Sequence, residues 1–268
     1  MRVCFKGLVL VIACWCAPLS SMAEQGADLG RLFQDSGVDG AVIIHSSTGE
    51  EFVSGPERVD RGFLPASTFK ILHALIVLDT GVVANEDEII AWDGVDRGYE
   101  PWNSDQTLRS ALQHSAVWVF QGFAREIGPE RMQHYISLVG YGNENVGGPL
   151  DSFWLDGELR ISPREQLTFL ERLHANDLPF SEHHMEIVKD CLVWEEADSW
   201  TMWAKTGWTM RVTPQIGWLV GWVENSREVW FFATNLDIGT REDAQMRFTI
   251  TMNALERVGA FNESAISP

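Results

Sequence analysis

The sequence contains little cysteine. Its four cysteines among 268 residues are Cys4, Cys14, Cys16 and Cys191, so three of them lie close to the start of the chain. If those three are removed with a leader, Cys191 has no partner, which excludes a framework of internal disulfides. The apolar positions around Cys191 predict a buried small side chain rather than a reactive thiol.

Basic residues are also few. Lys and Arg number 20 against 38 Asp and Glu, which gives a formal net charge of −18. The acidic residues are scattered along the chain, as is typical of a solubilising surface. We expect no nucleic-acid partner, because binding a phosphate backbone requires clustered positive charge.

Long apolar runs and metal-binding spacings are absent as well. No stretch reaches about 18 consecutive apolar residues, so we expect no membrane span. His183 and His184 are adjacent, and neither H-E-x-x-H nor H-x-H occurs, so we expect no metal. No repeat or low-complexity linker divides the chain, which favours a single domain.

The first 23 residues have the pattern of a secretory signal peptide. Arg2 and Lys6 form a basic start, and residues 8–16 form an apolar run. Residues 21–23 form a small-residue cleavage site. We therefore expect residues 1–23 to be removed on export and residues 24–268 to form one periplasmic catalytic domain. Lipoprotein processing, which would leave a lipid on Cys14, is an alternative.

Apolar patterns predict strands at both ends of the chain and helices between them. The predicted strands are residues 40–44, 51–54, 200–205, 216–223 and 229–235. The predicted helices are residues 67–78, 108–127, 129–138, 163–174 and 242–258. We predict an α/β fold of the α+β type, in which helices flank a central antiparallel sheet built from both chain ends and a helical region is inserted. The Gly-rich connection 141–159 is typical of an ordered functional loop.

Ser67 and Lys70 form the first of three motifs that carry chemistry. Pro65 suits the first turn of a helix, so Ser67 is predicted near a helix N-terminus, where the helix dipole stabilises negative charge. A spacing of three puts both side chains on one face, where the lysine nitrogen can reach the serine hydroxyl. Alone, the pattern is also typical of a capping serine beside a solvated lysine.

Two further motifs follow in order along the chain. Ser115-Ala116-Val117 lies on an apolar segment, and Lys205-Thr206-Gly207 ends a predicted strand. The lysine offers positive charge, the threonine a hydroxyl, and the glycine close approach to the strand backbone. An S-x-x-K, an S-x-N-like triplet and a K-T-G in this order form the motif set of penicillin-recognising serine enzymes.

With these motifs, the chain beyond the leader resembles the class D β-lactamases, or oxacillinases. The resemblance also rests on Tyr141-Gly142-Asn143, Phe153-Trp154-Leu155, Leu159-Arg160-Ile161-Ser162, Trp208 after the K-T-G, and residues 217–223. Val117 separates the chain from class A enzymes, whose triplet ends in asparagine. Leu72 departs from the pattern, since many relatives have proline there. The resemblance implies hydrolysis of the β-lactam amide of penicillin-type antibiotics through an acyl-serine, and hence β-lactam resistance.

The resemblance also implies the catalytic roles. Ser67 would be the nucleophile, and Lys70, carboxylated by carbon dioxide or bicarbonate, would be the general base in both halves of the reaction. Ser115, with Lys205 nearby, would pass a proton to the leaving nitrogen. Backbone N–H groups of Ser67 and Trp208 would form the oxyanion hole. No other cofactor is implied.

Further residues would support the carbamate or bind the substrate. Val117 would help to remove water from Lys70, and Trp154 would donate its indole N–H to the carbamate, although a tryptophan there is also typical of a core. The expected substrate-binding residues are Thr206, Gly207, Arg247, Trp102, Leu155 and Arg211. Arg247 suits a carboxylate because a guanidinium grips it with two N–H groups. Trp102 and Leu155 are equally typical of a core.

Specificity, assembly and two alternative functions stay open at this point. The short connection 208–214 carries Arg211 and resembles the loop of carbapenem-hydrolysing oxacillinases, and the family allows a homodimer. A penicillin-binding DD-peptidase would share the serine, the lysine and the K-T-G, but Val117 and Trp154 argue against it. A non-hydrolysing β-lactam sensor domain would need a transmembrane segment to relay its signal.

Overall fold

A single antiparallel sheet organises the computed structural model, which describes residues 29–261. The strands are β1 (Gly40–Ser46), β2 (Glu51–Ser54), β3 (Val193–Glu196), β4 (Trp200–Trp208), β5 (Gln215–Asn225) and β6 (Val229–Ile238). Their order across the sheet is β2-β1-β6-β5-β4-β3. The sheet is thus built from both ends of the chain, which confirms the predicted α+β fold. The predicted signal peptide, with Cys14, lies outside the described residues.

Helices occupy the long middle of the chain and its end. They are α1 (29–36), α2 (Pro56–Val59), α3 (Lys70–Asp79), α4 (Leu108–Gln113), α5 (Val117–Ile127), α6 (Pro129–Val139), α7 (Pro163–His174), α8 (Glu182–Leu192) and α9 (Arg241–Val258). Short 3₁₀ helices span Ala66–Phe69 and Glu100–Trp102. Within residues 29–261, no helix combines the length and the apolar character needed to cross a membrane.

Alternating side chains of β5 pack into two separate hydrophobic cores, one on each face of the sheet. Trp218, Val220 and Trp222 pack with the inserted helices and α7, while Leu219 and Val223 pack with α9. A period of two is expected when both faces of a strand are covered by helices. The sheet is therefore the middle layer of the fold, and the motif-bearing helices lie on one side of it.

The predicted continuous helix over residues 108–127 is wrong. The chain breaks between α4 and α5, where Ser115 has φ 58° in the left-handed region. An α-helix cannot continue through such a residue, and the Ala116 N–H closes the end of α4 by donating to the Ala111 carbonyl oxygen at 2.8 Å. The spacing of apolar residues continues across this break, so the sequence pattern does not reveal where α4 ends.

Cys191 lies on α8, a helix that the predicted elements omit. Its side chain is 2% exposed, and burial raises the pKa of its thiol to about 12. The thiol therefore stays protonated and packs as a small apolar group, in agreement with the prediction.

Gly221 permits the close approach of β4 and β5. A Cβ atom there would overlap the Trp203 carbonyl oxygen, two residues before Lys205. We expect Gly221→Ala to lower the free energy of unfolding by about 3 kcal/mol, because the strands must separate. In α5, where a Cβ on Gly122 meets nothing within 4 Å, Gly122→Ala should instead add about 0.5–1 kcal/mol. Urea unfolding followed by tryptophan fluorescence measures the free energy of unfolding of both variants. Equal changes in the two variants would contradict the packing argument.

Candidate active site

Ser67 lies in the 3₁₀ helix that leads directly into α3, so it is near a helix N-terminus as predicted, although its own turn is 3₁₀ rather than α-helical. Two contacts hold this turn from opposite sides. The Ala66 N–H donates to the Trp154 carbonyl oxygen at 2.9 Å, and the Trp218 indole N–H donates to the Leu64 carbonyl oxygen at 2.9 Å. The turn is thereby fixed between β5 and the segment that follows Tyr141.

The buried side chain of Thr68 also holds this turn in place. Its hydroxyl donates to the Pro65 carbonyl oxygen at 2.8 Å and accepts from the Gln166 side-chain nitrogen at 2.7 Å. Thr68 and Gln166 are fully buried, whereas the Ser67 side chain between these anchors is half-buried. The serine hydroxyl is therefore held in place while it stays open to a ligand.

Lys70 is completely buried next to Ser67. Its Nζ lies 2.7 Å from the Ser67 Oγ and 5.5 Å from the centre of the Phe120 ring. Burial lowers the pKa of the Lys70 amine well below the usual lysine range, and the positive charges of Lys205 and Arg211 lower it further. The neutral amine is thus favoured at a position where it can exchange a proton with the serine.

Trp154 and Val117 pack in the same apolar core as Phe120, whose ring lies beside the Lys70 amine. Trp154 is fully buried and stacks on Phe69, with the ring centres 5.6 Å apart. Its indole N–H has no hydrogen-bond partner among residues 29–261, which is costly for a buried donor. Val117 is the first residue of α5 and packs against the same core. An apolar compartment that contains this free indole donor therefore lies beside Lys70.

Ser115 and Lys205 meet across the site. The Lys205 Nζ donates to the Ser115 Oγ at 2.9 Å and to the Thr206 carbonyl oxygen at 3.2 Å. Lys205 is 4% exposed, and burial, followed by the positive charge of Arg247, lowers its pKa to about 7. Near neutral pH the ammonium can therefore replace a proton that the serine hydroxyl passes on.

The end of β4 runs directly along the Ser67 turn. A Cβ on Gly207 would lie 3.0 Å from the Pro65 carbonyl oxygen, so glycine permits this approach. The Arg247 Nη1 donates to the Gly207 carbonyl oxygen at 2.9 Å, and its guanidinium lies 5.8 Å from the Trp208 ring. The predicted K-T-G, Trp208 and Arg247 are thus brought together.

Trp102, Leu155 and Arg211 border the site less directly. The Trp102 indole N–H donates to the carbonyl oxygen of His114, the residue before Ser115, at 2.9 Å. Leu155 is buried beside Trp154 and belongs to the core. Arg211 pairs with Asp156 at 3.1 Å, which ties the loop after β4 to the segment that carries Trp154 and Leu155.

Comparisons with known proteins agree with this arrangement. The family model described as the penicillin binding protein transpeptidase domain matches residues 39–256. β-Lactamase OXA-48 of Klebsiella pneumoniae is 42% identical over 226 residues, which cover 84% of this chain and 85% of the relative. β-Lactamase OXA-10 of Pseudomonas aeruginosa is 40% identical over 259 residues, covering 95% and 97%. The chain belongs to the class D β-lactamases.

A solved structure of a class D β-lactamase has the same architecture. The class D enzyme YbXI from Nostoc superimposes with a TM-score of 0.84 at 43% sequence identity, covering 86% of this chain and 98% of that one. The chain is therefore a serine hydrolase that opens β-lactam rings through an acyl-serine and belongs to the oxacillinases that confer resistance. These relatives decide against the DD-peptidase and sensor alternatives.

The β-lactamase site concentrates positive charge in an acidic protein. Lys205 and Arg247 are buried or half-buried, and the exposed Arg211 lies at the edge, while the whole chain has a formal net charge of −18. Burial lowers the pKa of Arg247 to about 10. A cleft of one sign attracts a ligand of the opposite sign, here an anionic one. Among residues 29–261, no group of three or more His, Cys, Asp or Glu side chains could hold a metal ion.

Sequence reasoning missed three residues that contact the predicted site. Gln166 anchors Thr68, and Asp156 pairs with Arg211. His73 is buried in ring contact with Trp154. Partners such as Gln166 and Asp156 come from distant segments and leave no local pattern. A histidine inside the apolar run after Lys70 was a signal that could have been noticed.

Arg247→Leu should raise the pKa of Lys205, because it removes a neighbouring positive charge that lowers this pKa. The lysines of the sequence are Lys6, Lys70, Lys189 and Lys205, so NMR of lysine-labelled protein can follow each one. The exposed Arg241→Leu serves as the control and should leave the titration near pH 7. An unchanged Lys205 pKa in Arg247→Leu would show that the guanidinium does not act on this lysine.

Proposed function

We propose that Ser67 is the acyl-accepting nucleophile of this β-lactamase and that Lys70, in carboxylated form, is its general base. The observation that carries the proposal is the 2.7 Å contact between the Ser67 Oγ and the Nζ of a completely buried Lys70. A buried amine with a lowered pKa favours the neutral form that is needed for proton exchange and for reaction with carbon dioxide.

The residues around Lys70 fit a carbamate. Its formation joins Nζ to the carbon of carbon dioxide, moves one C=O electron pair onto oxygen and releases one amine proton. Once present, the carbamate supplies a negatively charged general base. The unpartnered indole N–H of Trp154 is available to donate to it, and Val117 helps to exclude water. We propose no metal and no cofactor beyond carbon dioxide or bicarbonate.

Acylation begins with attack of the Ser67 Oγ on the β-lactam carbonyl carbon. The new Oγ–C bond forms as the hydroxyl proton passes to the Lys70 side chain, and the C–N bond of the ring breaks. We propose that backbone N–H groups of Ser67 and Trp208 stabilise the negative charge on the carbonyl oxygen. The close approach of β4 to the Ser67 turn at Gly207 supports this pairing.

The leaving nitrogen needs a proton, and Ser115 can deliver it. Its Oγ lies 2.9 Å from the Lys205 Nζ, which can replace the proton that the serine gives away. A water molecule then attacks the ester carbon, the Oγ–C bond breaks, and Ser67 recovers its proton. One water is consumed for each ring opened.

Recognition of penicillin-type substrates would rest on their carboxylate. Arg247 and Lys205 supply positive charge, and Thr206 and Gly207 lie at the end of β4, along which the substrate would lie. Trp102 and Leu155 would form apolar walls. For Leu155 this role is an addition to its place in the core, since its side chain is mostly buried.

Export and assembly also belong to this proposal. Residues 24–268 would form a single periplasmic catalytic domain after removal of residues 1–23, or stay attached to a membrane through a lipid on Cys14. The mass and N-terminal sequence of the protein recovered from the periplasm distinguish these outcomes. A homodimer would be detected by sedimentation.

Turnover of nitrocefin tests the proposed chemistry. We expect many turnovers by the wild type, a rise in rate with added bicarbonate, and a loss of about 10³-fold or more in Ser67→Ala and Lys70→Ala. Lys189→Ala, which removes an ion pair with Glu186 on α8, is the lysine control and should retain full activity. A single stoichiometric burst with a stable acyl-enzyme would refute hydrolysis by this site.

Carbapenem hydrolysis is the finer part of the proposal. The loop 209–214 is short and is tied to the segment after Trp154 by the pair Arg211–Asp156. We expect measurable imipenem hydrolysis, and a lower rate when the loop is lengthened by three or four glycines and serines. An imipenem hydrolysis rate that does not change with the added length would refute a role for this loop. Nitrocefin turnover by the lengthened variant controls for folding.

A further inference from the structure

His73 lies one helical turn beyond Lys70 on α3. Ser67, Lys70 and His73 are spaced by three, so their side chains form one row along the same face. His73, like Lys70, is fully buried. The row therefore runs from the half-buried serine inward to a histidine that has no contact with solvent.

Aromatic rings enclose the imidazole of His73. Its ring centre lies 5.3 Å from that of Phe120, 5.4 Å from that of Phe69 and 5.4 Å from that of Trp154. The Phe120 ring also lies 5.5 Å from the Lys70 Nζ, and Trp154 carries the unpartnered indole N–H. Lysine, histidine and tryptophan thus share one sealed compartment.

Neither imidazole nitrogen has a hydrogen-bond partner in the part of the chain that the structure describes. Buried polar atoms are almost always paired, because removing them from water without a partner costs free energy. An apolar side chain would fill this aromatic pocket without that cost. Packing alone does not account for a histidine here.

The charge on Lys70 acts on His73. Burial, and then the positive charge of Lys70, lower the pKa of His73 to about 3, so the imidazole is neutral. The other charged groups that act in this region, Lys205 and Arg211, are also positive. Negative charge on the Lys70 side chain would reverse the sign of this Coulombic interaction and favour the imidazolium against the cost of its burial.

We propose that His73 is a positioning residue that retains carbon dioxide on Lys70 by taking up the proton released when the carbamate forms. The neutral amine, neutral imidazole and carbon dioxide become a carbamate and an imidazolium, so the net charge of the sealed compartment does not change. This inference rests on the proposed carboxylation of Lys70. Coupling between two sites is reciprocal. The factor by which the carbamate favours protonation of His73 is therefore also the factor by which protonation of His73 raises the affinity of Lys70 for carbon dioxide.

Titration with ¹³C-bicarbonate, followed by ¹³C NMR of the carbamate, measures this affinity independently of catalysis. We expect His73→Phe to raise the half-saturating bicarbonate concentration by about 5-fold to 150-fold, the range typical of coupled sites. His73→Asn, which keeps an N–H donor but cannot take up the proton, should lie between His73→Phe and the wild type. His174→Phe is the matched control, since His174 also lies against aromatic rings but belongs to a different part of the fold. It should bind bicarbonate as the wild type does.

The ¹⁵N spectrum of His73 in the wild-type protein provides a second readout that needs no variant. The imidazole should change from neutral to imidazolium as bicarbonate is added near pH 7. An imidazole that stays neutral while the carbamate forms, or equal bicarbonate affinity in His73→Phe, overturns this inference and leaves the carboxylation intact. A wild type without any carbamate resonance overturns both.

Discussion

The removal of the Lys70 amine from water is the constraint on which the rest of the site depends. An ammonium in such a place would be strongly destabilised, because its hydration is lost and positive groups surround it. The neutral form is stabilised instead, and it lies 2.7 Å from the Ser67 hydroxyl. A lysine at the surface would spend nearly all its time as a solvated cation and could serve as neither base nor amine nucleophile.

The surroundings of this lysine are built from distant parts of the chain. Trp154 comes from the connection between α6 and α7, Phe120 from α5, and Lys205 from a strand near the other end of the sequence. The central sheet unites them, since β4 and β5 bring Gly207 and Trp218 against the Ser67 turn. The α+β architecture thus places a reactive turn between a rigid sheet and an aromatic core.

The positive groups have different protonation behaviour because their surroundings differ. Lys70 is shielded from water and loses its proton readily, while Lys205 titrates near neutrality beside Ser115. Arg247 keeps its charge at neutral pH even with a pKa of about 10. One cleft can therefore hold a base, a proton donor and a fixed cation for an anionic ligand.

Much of the site could be predicted from the sequence, because its chemistry is carried by short local motifs. The Ser67-Lys70 spacing and the K-T-G mark positions that the sheet and the helices then bring together. The break at Ser115 could not be predicted, since a left-handed residue leaves the apolar period of residues 108–127 unchanged. The contact of Gln166 with Thr68 depends on tertiary packing across 98 residues of sequence, for which no local pattern exists.

The pKa of the Lys70 amine in carbon dioxide-free buffer is the most direct measurement of the central claim. NMR of lysine-labelled protein should find that the Lys70 amine loses its proton well below the usual lysine range. A Lys70 that remains an ammonium up to the usual lysine pKa of about 10.4 would contradict the account.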